Sequence, residues 1–232
     1  MKSFIYTPPQ ASLDILYIDQ DILVVNKPSG LLSVPGKGLY HQDSLELRIK
    51  AEYTNSFLVH RLDMDTSGAM IFALNKVTQR SLNMQFEKRI VKKTYEARVF
   101  GNIKNDSGSI NLPLIVDWPN RPLQKIDIKM GKSALTHWRV IKREENVTRV
   151  ELIPETGRTH QLRVHMMALG HTILGDRFYG NSNEINLADK LQLHAKKLVI
   201  NHPKSTPPQI ATSKGALLQL ENWDFVFLVN CI

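Results

Sequence analysis

Two clusters of polar residues contain the side-chain types that could do chemistry. The first holds His60, Arg61 and Asp63, between a short apolar run and the apolar segment 69–74. Charged side chains this close to a core strand are costly to bury unless they are paired. Two explanations fit the cluster: a structural Arg–Asp pair that fixes a loop, or a catalytic carboxylate with its supporting groups.

The second cluster spans residues 155–165. Helical spacing from a start near Thr159 places Leu162 on an apolar face. His160 and Arg163, three residues apart, share a neighbouring face. Because arginine is always charged, a guanidinium here could keep a nearby carboxylate ionised. Taken alone, the spacing is explained more simply by a solvated helix face.

Other kinds of catalytic site find no support in the sequence. His160 and His165 lack the HExxH spacing of a zinc protease, and residues 30–38 do not match a phosphate-binding loop. No serine lies in a GxSxG context. The single cysteine, Cys231, excludes an internal disulfide and a cysteine-based zinc cage. No cofactor or metal motif remains.

The chain is basic, with 30 Lys and Arg against 22 Asp and Glu and a net charge of +8. Such an excess attracts phosphate backbones and so indicates a nucleic-acid partner, although many basic proteins bind none. No apolar run approaches the length of a membrane span, and residues 1–14 lack the apolar core of a signal peptide. We expect a cytoplasmic protein with no membrane partner, and a monomer by default.

Hydrophobic patterning predicts a mixture of strands and helices without regular βαβ alternation. This favours an α+β fold with a largely antiparallel sheet. Between residues 101 and 133 the pattern weakens, and we expect a long loop of functional importance or disorder. The predicted strands are 22–26, 69–74, 93–100, 136–143 and 149–154, and the predicted helices begin at Ser44 and cover 77–89 and 159–169.

Taken together, the motifs resemble those of the RluA-type pseudouridine synthases. The catalytic motif of that family is matched by His60-Arg61-Leu62-Asp63 followed by Thr66-Ser67-Gly68. Its other motifs are matched by Lys27-Pro28-x-Gly30, by Lys92-Lys93-x-Tyr95 and by residues 157–165, GRTHQLRVH. The resemblance runs in order from about residue 15 to 205.

The resemblance implies one catalytic domain over residues 1–232, with a mixed, largely antiparallel central sheet, flanking helices and a catalytic cleft across the sheet. It implies no cofactor, no metal and no N-terminal S4-type domain. Residues 206–232 form a tail that departs from the family's usual ending. The segments LLSVPGKG and LPLIVDWPNRP resemble short family members, which implies two structured RNA partners: a tRNA anticodon stem-loop and a hairpin of large-subunit rRNA.

The resemblance also implies roles for individual residues. Asp63 is the catalytic carboxylate, which either attacks covalently or removes a sugar proton, and Arg163 is its partner. Tyr95 would stack on the flipped uracil, a contact worth about 1–3 kcal/mol, although an ordinary core tyrosine fits its strand as well. Arg61 would fill the gap left by the base, and Leu162 would line the pocket. The remaining residues assigned to RNA binding are His60, Lys92 and Lys93.

Two other classes of function compete with an enzyme. A catalytically silent RNA-binding protein or an RNA chaperone would keep the basic surface, but it would not need Asp63, Arg163 and Tyr95 all intact. The presence of all three favours the enzyme. A hydrolase or nuclease is disfavoured because the sequence offers no metal cluster or activated nucleophile.

Overall fold

The computed structural model describes residues 5–203 and 224–228. The chain forms two compact units, the first from residues 1–92 and 195–232 and the second from residues 93–194. A single catalytic domain over residues 1–232 stays a prediction.

The strands and helices follow one another without a repeating unit. In chain order they are β1 (Ile15–Ile18), β2 (Ile22–Lys27), α1 (Leu45–Glu52), β3 (Phe57–Leu58), β4 (Ser67–Ala73), α2 (Lys76–Glu87), β5 (Lys92–Phe100), β6 (Ser107–Asn111), β7 (Leu114–Val116), β8 (Gln124–Ile126), β9 (Leu135–Glu144), β10 (Val147–Pro154), α3 (Gln161–Ala168), α4 (Ser182–Asn186), β11 (Leu193–Asn201) and β12 (Asp224–Leu228). Short 3₁₀ turns cover Leu39–His41 and Trp118–Asn120.

In the first unit, β2 pairs antiparallel with β1 and β4, and β3 also pairs with β4. Every residue of β4 after Ser67 is buried. The apolar run at 69–74 predicted a strand covered on both faces, and this prediction is confirmed. The predicted N-cap at Ser44 is also confirmed, since its side chain accepts a hydrogen bond from the Leu47 amide.

In the second unit, β10 pairs antiparallel with β5 and β9, and β9 pairs with β6. The expectation of one long loop between residues 101 and 133 was wrong. The segment contains β6 and a separate antiparallel hairpin of β7 and β8. β6 (SGSIN) has a single apolar residue, and β7 (LIV) and β8 (QKI) have three residues each. None of them shows a periodic pattern long enough to predict a strand.

The predicted α+β class with mostly antiparallel pairing is confirmed. Of the tail that departs from the family's ending, Asp224–Leu228 is a strand that pairs antiparallel with β11, and Phe227 is buried in the core of the first unit. Residues 206–223 and 229–232 lie outside the described residues. No helix in the described ranges is long and apolar enough to cross a membrane.

Gly68, the second residue of β4, has a backbone conformation that only glycine adopts easily, with φ at +115°. A Cβ added there would lie 2.3 Å from the carbonyl oxygen of Ala195, a backbone atom that cannot rotate away. We expect Gly68→Ala to lower the free energy of unfolding by more than about 2 kcal/mol, measured by urea denaturation.

Gly38→Ala is the matched control, because Gly38 also has a positive φ, +86°, but a Cβ there meets no atom within 4 Å. That variant carries only the strain of its backbone conformation, with φ at 86° and ψ at 163°, about 1–3 kcal/mol, whereas Gly68→Ala adds the clash with Ala195 to strain of this kind. Equal losses in the two variants would contradict the close approach at Gly68.

Candidate active site

Hydrogen bonds from the segment that follows β2 hold the loop that carries Asp63. The Ser33 hydroxyl donates to the Leu62 carbonyl over 2.6 Å and accepts from the Leu62 amide over 3.2 Å. The Gly30 amide donates to the Met64 carbonyl over 3.0 Å. The backbone is therefore fixed on both sides of Asp63.

Lys27, the first residue of the KPxG motif, adds a buried charge to this support. Its side chain is fully buried, with 0% of its surface exposed. The ammonium donates to three carbonyl oxygens, those of Pro28 at 2.9 Å, Leu31 at 2.8 Å and Met64 at 2.8 Å. Since an ammonium has three N–H groups, each donor has an acceptor. One side chain thus ties the motif segment to the residue after Asp63.

The electrostatics of Lys27 are set by two opposing effects. Burial lowers its pKa to about 7, because the charged form loses its hydration. The carboxylates of Asp65 and Asp63 act in the other direction and raise the pKa. These two carboxylates therefore favour the charged form of Lys27 and offset part of the cost of its burial.

The other polar residues of this loop differ in exposure. His60 Nε2 accepts a hydrogen bond from the Ile71 amide at 3.0 Å, and its ring stacks on Phe86 with centroids 4.8 Å apart. Nε2 is therefore unprotonated in this arrangement. Arg61 is exposed and Asp63 is half-buried. His60 is held between β4 and α2, whereas Arg61 is open to solvent.

In the second unit, the predicted site residue Arg163 is buried on α3, with 2% of its side chain exposed. It forms a two-pronged ion pair with Asp176, whose oxygens lie 2.7 Å from Nε and 2.6 Å from Nη2. Asp176 also accepts from the amides of Phe178 and Tyr179. The solvated helix face is thus ruled out for Arg163, and its guanidinium is fixed in one orientation.

Two aromatic rings complete the surroundings of Arg163. Its guanidinium carbon lies 5.0 Å from the ring centroid of Phe178 and 5.3 Å from that of Tyr179, within the range of cation–π attraction. The Tyr179 hydroxyl lies 2.8 Å from His160 Nδ1 and accepts from the Gln124 amide at 2.9 Å. Tyr179 therefore contacts Arg163 through its ring and β8 through its hydroxyl.

The glutamine and the second histidine of the GRTHQLRVH motif attach α3 to β9. Gln161 donates to the Thr136 hydroxyl at 3.0 Å and to the Leu135 carbonyl at 3.0 Å. His165 bonds the same hydroxyl through Nδ1 at 2.9 Å and the Leu112 carbonyl through Nε2 at 3.0 Å. Burial lowers the pKa of His165, and the bond to Leu112 acts in the opposite direction. These two residues hold the helix that carries Arg163.

The helix itself begins later than predicted. It starts at Gln161 rather than near Thr159, because His160 adopts a left-handed conformation with φ at 54°. Leu162 is buried at 7% exposure within the apolar cluster of the second unit. The predicted apolar position of Leu162 is therefore confirmed, whereas the predicted helical position of His160 is wrong.

The remaining predicted residues lie on or beside β5. Tyr95 is half-buried and packs against the apolar cluster of the second unit. Lys92 is exposed. Lys93 is half-buried, burial lowers its pKa, and its Nζ lies 3.5 Å from where a Cβ on Gly157 would stand. Within the first unit the structure thus groups His60, Arg61 and Asp63, and within the second it places Tyr95 and Leu162 in one cluster.

One group of possible metal ligands is found among the described residues: Asp19, Asp21 and His202. Asp19 accepts hydrogen bonds from the Asp21 and Ile22 amides and from His202 Nε2. Although burial raises the pKa of Asp19, these hydrogen bonds outweigh it and lower the pKa to about 2. The carboxylate closes the turn between β1 and β2, which explains the group without an ion.

A protein-family model described as RNA pseudouridylate synthase matches residues 21–168, which include both polar clusters. The chain belongs to this family. The resemblance predicted from the motifs is confirmed, and so is the prediction of an enzyme, an RNA pseudouridine synthase.

The synthase is similar to curated and solved relatives over most of its length. It is 54% identical over 200 residues to the dual-specificity RNA pseudouridine synthase RluA of Salmonella typhimurium, covering 85% of this chain and 91% of the relative. The RluA of Yersinia pestis is 53% identical over 195 residues, covering 84% and 95%. The structure of human RNA pseudouridylate synthase domain containing 1 matches with a TM-score of 0.72 and 29% identity, covering 97% of this chain and 94% of the other.

Sequence reasoning missed several residues that position the site of the synthase. Asp176 and Tyr179 lie in the segments Leu174-Gly175-Asp176 and Tyr179-Gly180, to which the sequence analysis assigned no role. The signal that could have identified Asp176 is the pairing requirement itself, because an arginine on an apolar helix needs a buried acceptor. The role of Tyr179 depends on its contact with Gln124, 55 residues away, which no local pattern reveals.

The buried pair of Arg163 and Asp176 gives a prediction with a matched control. Asp176→Asn keeps the shape of the side chain but leaves the Arg163 charge uncompensated, so we expect a loss of about 3–5 kcal/mol in the free energy of unfolding. Asp106→Asn removes the acid from an exposed pair with Arg143, in which the Asp106 side chain is 88% exposed, and should cost far less. Urea denaturation of both variants decides, and similar losses would contradict a buried, structural pair.

Lys27 gives a prediction about pH. In the unfolded chain a lysine has a pKa near 10.4, whereas burial lowers the pKa of Lys27 in the folded protein to about 7. Between these values the unfolded state binds more protons, so the Lys27 contribution to stability rises with pH.

We therefore expect the wild type to gain about 2 kcal/mol relative to Lys27→Met between pH 7 and pH 9, measured by chemical denaturation at each pH. Lys50→Met, which removes a lysine from the surface ion pair with Glu46 on α1, controls for the loss of one lysine. Parallel pH curves for the wild type and Lys27→Met would show that Lys27 does not titrate in this range.

Proposed function

We propose that this synthase isomerises uridine to pseudouridine in two kinds of structured RNA, a hairpin of large-subunit rRNA and a tRNA anticodon stem-loop, with Asp63 as the catalytic carboxylate. The dual-specificity relatives, at 53–54% identity, support two RNA substrates. The net charge of +8 is consistent with binding to phosphate backbones.

The reaction is balanced without a cofactor or a water nucleophile. The bond between the sugar and N1 of uracil breaks, the base rotates, and a new bond forms between the sugar and C5. The C5 proton is released, and N1 gains a proton. The protein must therefore hold the detached base and supply one group that acts on the sugar, either by attack or by proton removal.

The observation that carries the assignment to Asp63 is the immobilised loop. Bonds to Leu62 and Met64 fix the backbone on both sides of Asp63, while its carboxylate is only half-buried. A reacting group must be held within a fraction of an ångström of its working position and still be reachable by substrate.

Access to the reacting atoms requires that the uridine leave its stack, which leaves a gap in the RNA. Arg61 follows the fixed His60 and is exposed, so we assign it to that gap. His60 is hydrogen-bonded to Ile71 and stacked on Phe86. It therefore supports the loop in addition to the RNA contact assigned to it.

The residues of the second unit keep the roles that the family resemblance implies. Tyr95 stacks on the flipped uracil, Leu162 lines the pocket, and Arg163 acts with the catalytic carboxylate. The rigid pairing of Arg163 with Asp176 supports a positioned guanidinium. Exposed Lys92 and half-buried Lys93 contact RNA phosphates. We expect the synthase to act as a monomer in the cytoplasm.

Asp63→Asn tests the proposal, and Asp65→Asn in the same loop is its matched control. Because the C5 proton is released, conversion is measured as tritium release from RNA that contains 5-tritiated uridine. We expect Asp63→Asn to lower the single-turnover rate by at least about 10⁴-fold, the scale on which loss of an essential catalytic group acts, while RNA binding persists. Asp65→Asn should keep most of the activity.

Full conversion by Asp63→Asn would refute the catalytic role of Asp63. No conversion by the wild type in either RNA, with binding intact, would refute the proposed substrates.

A further inference from the structure

The hairpin of β7 and β8 carries an exposed aromatic side chain at its tip. Trp118 is 63% exposed, an unusual state for the largest apolar side chain. The guanidinium carbon of Arg121 lies 4.5 Å from the centroid of its ring. This geometry is a cation–π contact that holds the indole from one side.

The tip that presents Trp118 is closed by its own hydrogen bonds. The Asp117 amide donates to the Leu123 carbonyl at 2.9 Å, and the amides of Asn120 and Leu123 donate within the tip at 3.0 Å each. The Asn120 side chain bonds the Asp117 carboxylate at 2.8 Å. A tip fixed in this way loses little conformational entropy when a ligand binds.

The base of the hairpin is attached to the helix that carries Arg163. Leu114 of β7 and Val164 of α3 are both buried in one small apolar cluster, with Ile126 of β8 packed against it. The Tyr179 hydroxyl accepts from the Gln124 amide at the start of β8. The hairpin is therefore packed against and hydrogen-bonded to the rest of the second unit.

The charges of the hairpin favour an anionic partner. Residues 114–132 contain four basic side chains and two acidic ones, Asp117 and Asp127. Asp117 is bonded to Asn120, and Asp127 accepts from the amides of Lys129 and Met130. The basic residues are Arg121, Lys125, Lys129 and Lys132.

We propose that Trp118 stacks on an unpaired base of the RNA substrate, away from the reacting uridine, and that Arg121 binds the adjoining phosphate. An indole held on one side by a guanidinium offers its other face to a planar partner, and bases stack on aromatic side chains irrespective of sequence. The N–H groups at the edge of the guanidinium remain suited to phosphate. This inference rests on the proposed function, because it concerns the same RNA.

The experiment compares Trp118→Ala, Trp118→Leu and Trp118→Phe with the wild type, using the transcribed anticodon stem-loop and the large-subunit rRNA hairpin. Loss of one stacked base weakens binding by about 5- to 150-fold, which corresponds to about 1–3 kcal/mol. We expect KM and the RNA Kd to rise by this factor in Trp118→Ala and Trp118→Leu, with kcat unchanged. Trp118→Phe should restore most of the affinity, because it keeps an aromatic face.

Val77→Ala is the control for loss of an exposed apolar side chain, since Val77 on α2 is 81% exposed. It should leave KM and kcat as in the wild type. Unchanged RNA affinity in Trp118→Ala would overturn the proposal and leave a protein partner as the occupant of the tip. A fall in kcat with KM unchanged would also overturn it, because Trp118 would then act on the reaction itself.

RNA with single abasic nucleotides identifies the stacked base. An abasic site at the base that contacts Trp118 should weaken binding to the wild type but not to Trp118→Ala, and additive losses at every unpaired position would contradict stacking.

The proposed function and the stacking of Trp118 can be refuted separately. A wild type that binds but converts neither RNA refutes the proposed function, whereas a wild type that converts both with no effect of Trp118 refutes the stacking alone.

Discussion

A lysine ammonium with no exposed surface must find three hydrogen-bond acceptors inside the protein, and Lys27 finds them in three backbone carbonyls. One carbonyl belongs to Met64, beside Asp63. Removing the ammonium would take this donor from the carbonyls of Pro28 and Leu31, at about 1–3 kcal/mol for each buried oxygen left unpaired, whereas the Met64 carbonyl would keep its bond from the Gly30 amide. The loop of Asp63 therefore depends on a buried charge. Because a buried charge is costly unless its hydrogen bonds are made, the loop is favoured in the conformation that makes them.

The second unit solves a similar problem with a different pair. Arg163 and Asp176 are almost fully buried, and each stabilises the other through two short hydrogen bonds. The aromatic rings of Phe178 and Tyr179 flank the guanidinium. Gln161 and His165 in turn attach α3 to β9 through Thr136. The polar residues of the motif thus divide into Arg163, which pairs with Asp176, and Gln161 and His165, which hold the helix.

The fold was predictable where the chain has strong local patterns. The apolar runs at 22–26 and 69–74 predicted β2 and β4 because fully buried strands need apolar side chains on both faces. The strands between residues 101 and 133 were missed, because β6 is defined by its pairing with β9 and not by its own composition. The start of α3 was also misplaced, since the left-handed backbone of His160 arises from its surroundings.

The sequence by itself determined the family and the candidate residues, because chemistry imposes residue types at fixed spacings and those spacings survive in a linear chain. Asp63, Tyr95 and Arg163 could be singled out from motifs alone. Only the tertiary structure decided what holds them: Lys27 beneath the Asp63 loop, Asp176 against Arg163, and Tyr179 between α3 and the hairpin of Trp118. These contacts join residues far apart in the chain, and burial, which makes an unpaired charge costly, is a property of the folded protein alone.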